Sequence, residues 1–360
     1  MIYAMGYCAY LNYYKFLRVM SIQLILKTTG RCNFACDFCS ASKVSQTDMD
    51  INYAVSLAEK YKPKCVSFEG GDPLCVSPDW YYEFIERTKH LNIKNYSFSS
   101  NLWDFYKRPE KWVDLFKRSD VDISTSFQYG NKRKLSEKII FTENLFREVI
   151  AKYMTLTNKP CPGFISVIDY DNEHMWQKTI ELAKELNTIC KLNDANAAGK
   201  QQTAYPYYKI FSIYASIIEN NLAEYEANSA NILSIINNES SLSCPYIKNC
   251  FDKFISVTPN GITSSCSIAI SHPKFIKFFK NKHLALQTAF QSAEMPYLIS
   301  HKCLCCSAYF WCHSCKIKAF EASTKDDAYK QAHCNTMKES LKRILNAKDT
   351  YKYSQQCRFS

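Results

Sequence analysis

The chain has 360 residues, 47% of them hydrophobic, and a formal charge of +11 from 45 Lys and Arg against 34 Asp and Glu. That length holds one large domain with a smaller one, or a single barrel with an extension, and the apolar fraction is ample for a core. No apolar stretch is long enough to span a membrane, no signal peptide precedes the 18 cysteines, and the basic residues are scattered, so a membrane helix, a secreted disulfide framework and a nucleic-acid partner are all disfavoured.

Residues 1–20 are tyrosine-rich without a clear period. They read as a short amino-terminal arm, or as an upstream extension of a reading frame that starts at Met20. From Ile22 onward the pattern alternates. Apolar, strand-like runs fall at Ile22–Lys27, Cys65–Phe68, Tyr96–Ser99, Val121–Phe127, Phe164–Ile168 and Thr188–Leu192. Helical patterns lie between them. Ile51, Ala54, Val55 and Ala58 share one helical face, as do Met175, Thr179, Leu182, Ala183 and Leu186, with Asn172 as a cap. Further helices are expected over Asp79–Leu91, Pro109–Arg118, Ser136–Met154 and Tyr205–Leu222. Six such units predict an α/β fold, a parallel sheet curled into a partial (β/α)6 barrel over residues 21–235. Ligands of such folds sit at the carboxyl ends of the strands.

Two motifs follow consecutive strands on that face. The first is Cys32-Asn33-Phe34-Ala35-Cys36-Asp37-Phe38-Cys39, three cysteines on one short loop. Three thiolates can hold three corners of a cubane iron–sulfur cluster and leave one iron open for chemistry. A structural zinc site needs four protein ligands, and no fourth partner stands near Cys39. The second motif is Phe68-Glu69-Gly70-Gly71-Asp72-Pro73, whose glycines let backbone approach a ligand closely. Together the motifs resemble the radical S-adenosylmethionine (SAM) superfamily. The resemblance implies a 4Fe–4S cluster on Cys32, Cys36 and Cys39 and SAM held on the open iron, with Gly70, Gly71, Asp72 and Pro73 at the SAM amino group. Asp72 stands where the family usually has Glu. Phe38 matches the family's adenine contact, with core packing as the alternative.

Strand ends supply further candidates. Asn101 follows strand three, Ser126 and Gln128 close strand four, Asp169 ends strand five, and Asn193 and Asp194 end strand six ahead of Ala197-Ala198-Gly199-Lys200. The resemblance places SAM contacts at Asn101, Ser126, Gln128 and Asn193; turn or cap roles are the alternative for each.

From residue 244 the composition shifts to a cysteine array at 244, 250, 266, 303, 305, 306, 312, 315 and 334. The order is similar to the SPASM extension of radical SAM enzymes, here spanning residues 236–345 before a tail at 346–360. The resemblance implies two auxiliary 4Fe–4S clusters, one on Cys244, Cys250, Cys266 and Cys315 and one on Cys303, Cys306, Cys312 and Cys334. The chain departs from the family spacing before Cys315, where Cys305 is a substitute candidate, and zinc knuckles are the alternative to clusters.

The resemblance thus implies an enzyme that cleaves SAM reductively to a 5′-deoxyadenosyl radical and abstracts a hydrogen atom from a peptide or protein side chain. A small molecule of cofactor or natural-product assembly is the alternative substrate, and a non-enzymatic iron–sulfur or zinc protein the alternative of another class. A cytoplasmic location and an electron donor such as a flavodoxin or ferredoxin are expected. The sulfatase-maturing branch places an Asp after the cysteine matching Cys266. This chain has Ser267 there, a poor base at neutral pH. Asp169 and Asp194 are the remaining candidate bases.

Overall fold

The computed structural model describes residues 22–41, 44–237, 253–264, 266, 299, 302–313 and 315–348. The arm at 1–20, Cys244, Cys250 and Ser267 lie outside the described residues.

All six expected strands form: β1 (Gln23–Thr29), β2 (Cys65–Gly70), β3 (Asn95–Ser99), β4 (Val121–Ser126), β7 (Gly163–Ile168) and β8 (Cys190–Asp194). They pair in parallel in chain order, with registers such as Leu26 to Phe68 and Phe68 to Phe98. Two strands beyond these, β9 (Phe254–Val257) and β10 (Thr263–Ser264), extend the sheet to eight in the order β10-β9-β1-β2-β3-β4-β7-β8. β9 lies parallel to β1 and β10 antiparallel to β9, so a stretch from the carboxyl-terminal extension shares the sheet of the barrel.

The two faces of the sheet differ by the period of two that strands impose. Leu24, Leu26, Val66, Phe68, Tyr96, Phe98 and Val121 are buried on the face that packs on helices. There Phe68 meets Phe84 edge-on at 5.5 Å, and Phe98 meets Phe116 at 5.6 Å. Those rings lie on α2 (Pro78–Thr88) and α4 (Val113–Lys117); α1 (Ile51–Tyr61), capped by Asp50, packs beside α2. The opposite face is polar: Gln23 donates to Ser67 Oγ at 2.6 Å, and Ser67 and Ser97 hydroxyls meet at 2.7 Å.

Three expectations need correction. The helix expected at Pro109–Arg118 is split into a 3-10 turn at Pro109–Lys111 and α4; α3 (Trp103–Lys107) precedes it and stops before Arg108, because a proline disfavours helical backbone in the residue before it. The helix expected at Ser136–Met154 begins later. A hairpin of β5 (Lys134–Ser136) and β6 (Ile139–Ile140) comes first, and α5 (Glu143–Thr157) starts after its cap Thr142. Asn172 holds the N-cap position of the 3-10 turn Glu173–Met175 ahead of α6, but its side chain makes no cap bond: its amide donates to the carbonyls of Tyr129 and Val167 at 3.1 and 2.9 Å and accepts from Asp169 N–H.

After α6 (Trp176–Glu185) and β8 come α7 (Tyr207–Glu219), α8 (Ala227–Ile236), α9 (Tyr309–His313), α10 (Lys316–Ser323) and α11 (Asp327–Lys348). α11 lies along α7, where Arg343 pairs with Glu219 and the Tyr207 hydroxyl donates to Trp311 O at 3.1 Å. One apolar core therefore runs from the barrel into Trp311, Cys312, Met337, Leu341 and Ile344.

Candidate active site

The cysteine loop leaves β1 and is held from three sides by backbone. Ala35 and Asp37 N–H donate to Lys134 and Lys132 carbonyls at 2.8 and 2.9 Å, which ties the loop to the β5 hairpin. Lys200 and Gln201 N–H donate to Asp37 O, which ties it to the turn after β8. At that turn Gly199 has φ +61°, and a Cβ there would lie 2.6 Å from Asp37 O and 3.1 Å from Cys39 N. Phe34 N–H points at Cys32 Sγ, Ala41 N–H at Cys39 Sγ, each at 3.4 Å, and the Asn101 amide at Cys32 Sγ at 3.7 Å. Such donors stabilise thiolate charge. Burial raises the Cys32 and Cys39 thiols, Asp72 adds to it at Cys32, and the charges of Arg133 and Lys27 oppose it at Cys39. Metal binding would have to displace those protons. Three soft donors on one loop, supplied with N–H groups and closed in by a glycine, fit a cubane cluster.

The Gly70-Gly71 turn packs directly on this loop. Gly71 N–H donates to Thr29 O and Asp72 N–H to Arg31 O, both at 2.8 Å. A Cβ on Gly71 would stand 2.1 Å from Arg31 O, a contact that only glycine avoids. Asp72 is 1% exposed, and its carboxylate accepts from Asn101 N–H at 2.7 Å, Leu74 N–H at 2.9 Å and the Ser100 hydroxyl at 3.0 Å. Burial still pushes its carboxyl up to about 6. Pro73 O accepts from the Tyr81 hydroxyl at 2.6 Å. Phe38 is half-buried and outside the apolar core. The neighbouring aromatic that packs is Phe34, 5.0 Å from Phe141 and 6.2 Å from Trp103.

Arg133 is the principal residue that sequence reasoning missed. Within Lys132-Arg133-Lys134-x3-Lys138 it reads as a solvated basic surface. Instead it is 6% exposed, with its guanidinium 5.2 and 5.7 Å from the Phe34 and Phe141 rings and its Nη2 donating to Ser126 Oγ. Its buried Nε has no hydrogen-bond partner, and its charge reaches both Asp72 and Cys39. Its neighbours differ: Lys132 pairs with Asp169 and Asp171 and Lys134 with Asp37, whereas the Arg133 guanidinium, just ahead of β5, lies against the Phe34 and Phe141 rings. Gln128 is 2% exposed with its Oε1 unpartnered, and Asn193 is half-buried beside Asn228.

Neither candidate base is free. Asp169 pairs with Lys132 at 3.0 Å and accepts from the N–H groups of Asp171 and Asn172. Asp194 is paired with buried Lys318. An open cleft of about 390 Å3 lies beside the cysteine loop, lined in part by Asp37, Lys132, Lys134, Asp169, Tyr170 and Lys200. Lys27, 6% exposed, has its ammonium pulled down by burial against the opposing charges of Glu69, Cys266 and Cys39.

In the carboxyl-terminal array, burial and the charges of Cys306, Cys334 and Cys303 raise the Cys312 thiol. Cys303 and Cys334 also share a small apolar cluster with Ile299 and Ala322. Cys305 is exposed, whereas Cys315 is half-buried beside Tyr207 and Lys318. Burial and the charge of His313 pull His333 down to about 4, so its imidazole is neutral. Among the described residues no three His, Cys, Asp or Glu side chains stand close enough to share one metal ion.

Residues 26–183, from β1 into α6, match the model of the Radical SAM superfamily. No curated protein matches the chain. Among solved structures, the fold is similar to that of native anSMEcpe with bound AdoMet and Cp18Cys peptide, at a TM-score of 0.66 and 15% identity over 92% of this chain and 99% of that one. It is similar to Streptococcus suis SuiB bound to precursor peptide SuiA, at a TM-score of 0.53 and 13% identity over 85% of this chain and 74% of that one. SuiB bound to S-adenosylmethionine gives 0.51 and 13% over 81% and 72%. Identities this low speak for the fold. Among the described residues, no helix is long and apolar enough to cross a membrane.

Proposed function

We propose that this chain is a radical SAM enzyme that modifies a side chain of a peptide or protein, with auxiliary iron–sulfur clusters in its carboxyl-terminal part. One observation carries the reading: a loop of three thiols is clamped by backbone against the Gly-Gly turn, with a buried, incompletely bonded guanidinium on the far side. Cys32, Cys36 and Cys39 would hold a 4Fe–4S cluster. Bound together, cluster and SAM supply a 5′-deoxyadenosyl radical for hydrogen-atom abstraction. The Gly70–Gly71 turn would receive the SAM ammonium, and Asp72 fixes that turn through Ser100 and Asn101. Arg133 and Ser126 would hold the SAM carboxylate in a charge-assisted pair, with Gln128 and Asn193 as further polar contacts and Phe38 for the adenine. Cys303, Cys306, Cys312 and Cys334 would hold one auxiliary cluster; Cys266 and Cys315, with Cys244 and Cys250, the other.

The peptide substrate is supported by two fold neighbours that carry peptides, anSMEcpe and SuiB. The open, charged cleft beside the loop admits an extended chain. A flavodoxin or ferredoxin would deliver the electron. The test is anaerobic reconstitution followed by a strong reductant and SAM. Wild type should release 5′-deoxyadenosine and methionine, and Cys36→Ala should release none. Full release by the Cys36→Ala protein would overturn the assignment.

A further inference from the structure

β1 sends its side chains alternately to the two faces of the sheet. Leu24 and Leu26 are buried against the helices, so Lys27 lies on the polar inner face, near the end of the strand that feeds the cysteine loop. Its register partner on β2 is Glu69, the residue before the Gly70-Gly71 turn. Lys27 is 6% exposed, yet among the described residues its ammonium makes no hydrogen bond and no ion pair, with Glu69 or any other carboxylate. Lys132, Lys134 and Lys200 at the cleft all pair with carboxylates. Deeper in the barrel the inner face satisfies itself, Gln23 bonding to Ser67 and Ser67 to Ser97. A second unmet group lies on the other side of β1. Ser256 of β9 is in register with Ile25 and so shares the inner face with Lys27; it is 0% exposed and its Oγ has no partner. Burying an ammonium without counter-charge is costly, and an apolar side chain in its place would avoid the cost, so the charge calls for a ligand. Burial lowers the ammonium from the ordinary lysine value, and a carboxylate seated beside it would reverse that shift.

We propose that Lys27, with the Ser256 hydroxyl as a second donor, is a substrate-specificity site on the inner face of the barrel that takes one carboxylate of the peptide, from an Asp or Glu side chain or from the chain's terminus. This rests on the reading of the chain as a peptide-modifying radical SAM enzyme. The ammonium supplies the charge and the hydroxyl gives it a direction. The SAM carboxylate has its own partners in Arg133 and Ser126, on the β4 side of the site. Glu69, across the register, limits the negative charge the place can take, which favours a carboxylate over a phosphate group.

The experiment is affinity selection by the anaerobically reconstituted full chain with SAM, from pooled synthetic heptapeptides, read by mass spectrometry. The peptides are acetylated and amidated at their ends, with neutral residues flanking the centre. One set has Asp or Glu at the centre and one has Asn or Gln; a third is neutral throughout but ends in a free carboxylate. Wild type should enrich one of the two carboxylate sets at least about tenfold over the amide set, the worth of a charge-assisted hydrogen bond. Which set wins tells the side chain from the terminus. Lys27→Met should lose the preference, Ser256→Ala should weaken it severalfold, and Lys27→Arg should keep part of it. Because an unpaired buried charge is removed, Lys27→Met should also melt no lower than wild type and hold as much iron. A lysine that only braces the sheet or balances a cluster's charge would instead lower melting temperature or iron content in Lys27→Met with the preference unmoved, which overturns the proposal. Should Lys27→Met fail to fold, Lys27→Gln takes its place in every arm. Equal enrichment of acid and amide sets by wild type overturns the proposal and leaves peptide binding standing. No enrichment of any set overturns it together with the peptide reading, and 5′-deoxyadenosine released by wild type under reductant then shows that the radical chemistry stands without it.

Discussion

Asp72 carries its charge where water does not reach, and three hydrogen bonds offset only part of the cost. The folded carboxyl keeps its proton up to about 6, whereas in the unfolded chain it loses it at the ordinary carboxylate value. Between those values the folded state binds more protons. The contribution of this group is thus fully present below the unfolded value and is lost as pH rises through 6. The loss amounts to about 3 kcal/mol. Urea unfolding of wild type against Asp72→Asn should show wild type losing ground from pH 4 to pH 7 by roughly that amount; a flat difference would refute it. Arg133 makes a second prediction at this scale. Replacing it with Met should weaken SAM binding about 10- to 100-fold, the worth of one charge-assisted hydrogen bond. Lys at that position should recover part of the loss, and iron content should not change. Equal SAM affinity in the Met variant would remove Arg133 from the site.

At the scale of elements, the cysteine loop is positioned by neighbours distant in the chain. The β5–β6 hairpin pairs with one side of it and the turn after β8 closes the other. Gly199 is where that closure is tightest. Gly199→Ala would add a left-handed backbone penalty to a contact at 2.6 Å with Asp37 O, costing roughly 2 kcal/mol or more. The measurable result is a reconstituted protein that loses iron from the Cys32, Cys36 and Cys39 site faster than wild type under a chelator. Retention equal to wild type would show that the turn is not needed to hold the loop. The hairpin itself escaped the helical reading because Ile139 and Ile140 continue the apolar spacing of α5 yet are exposed in β6.

Across the whole molecule, the barrel and the cysteine-rich part share one sheet and one core. Reconstituted protein should hold about 12 irons, four per cluster, with a broad absorption shoulder that bleaches on reduction. Cys334→Ala should lose about four of them and still cleave some SAM, because its thiol neighbours Cys303 and Cys306 rather than the loop after β1. Stoichiometric zinc with about four irons would replace the auxiliary clusters by zinc sites.

The amino-acid sequence by itself determined what depends on neighbours a few residues apart. Apolar runs and helical faces located all six barrel strands, and the short Cys-x3-Cys-x2-Cys spacing marked the loop. The grouping of Cys303, Cys306, Cys312 and Cys334 was read from the resemblance alone. What the tertiary structure alone decided depends on pairs far apart in the chain. β9 and β10 joined the sheet because β1 had a free edge, which no local pattern announces. Asp169 and Asp194 ceased to be free carboxylates once Lys132 and Lys318 were folded against them, the second from 124 positions downstream. Arg133 turned from a surface cation into a buried one because the segment ahead of β5 is tied by backbone bonds to the cysteine loop and its guanidinium packs on Phe34, a contact between residues far apart in the chain that composition does not reveal.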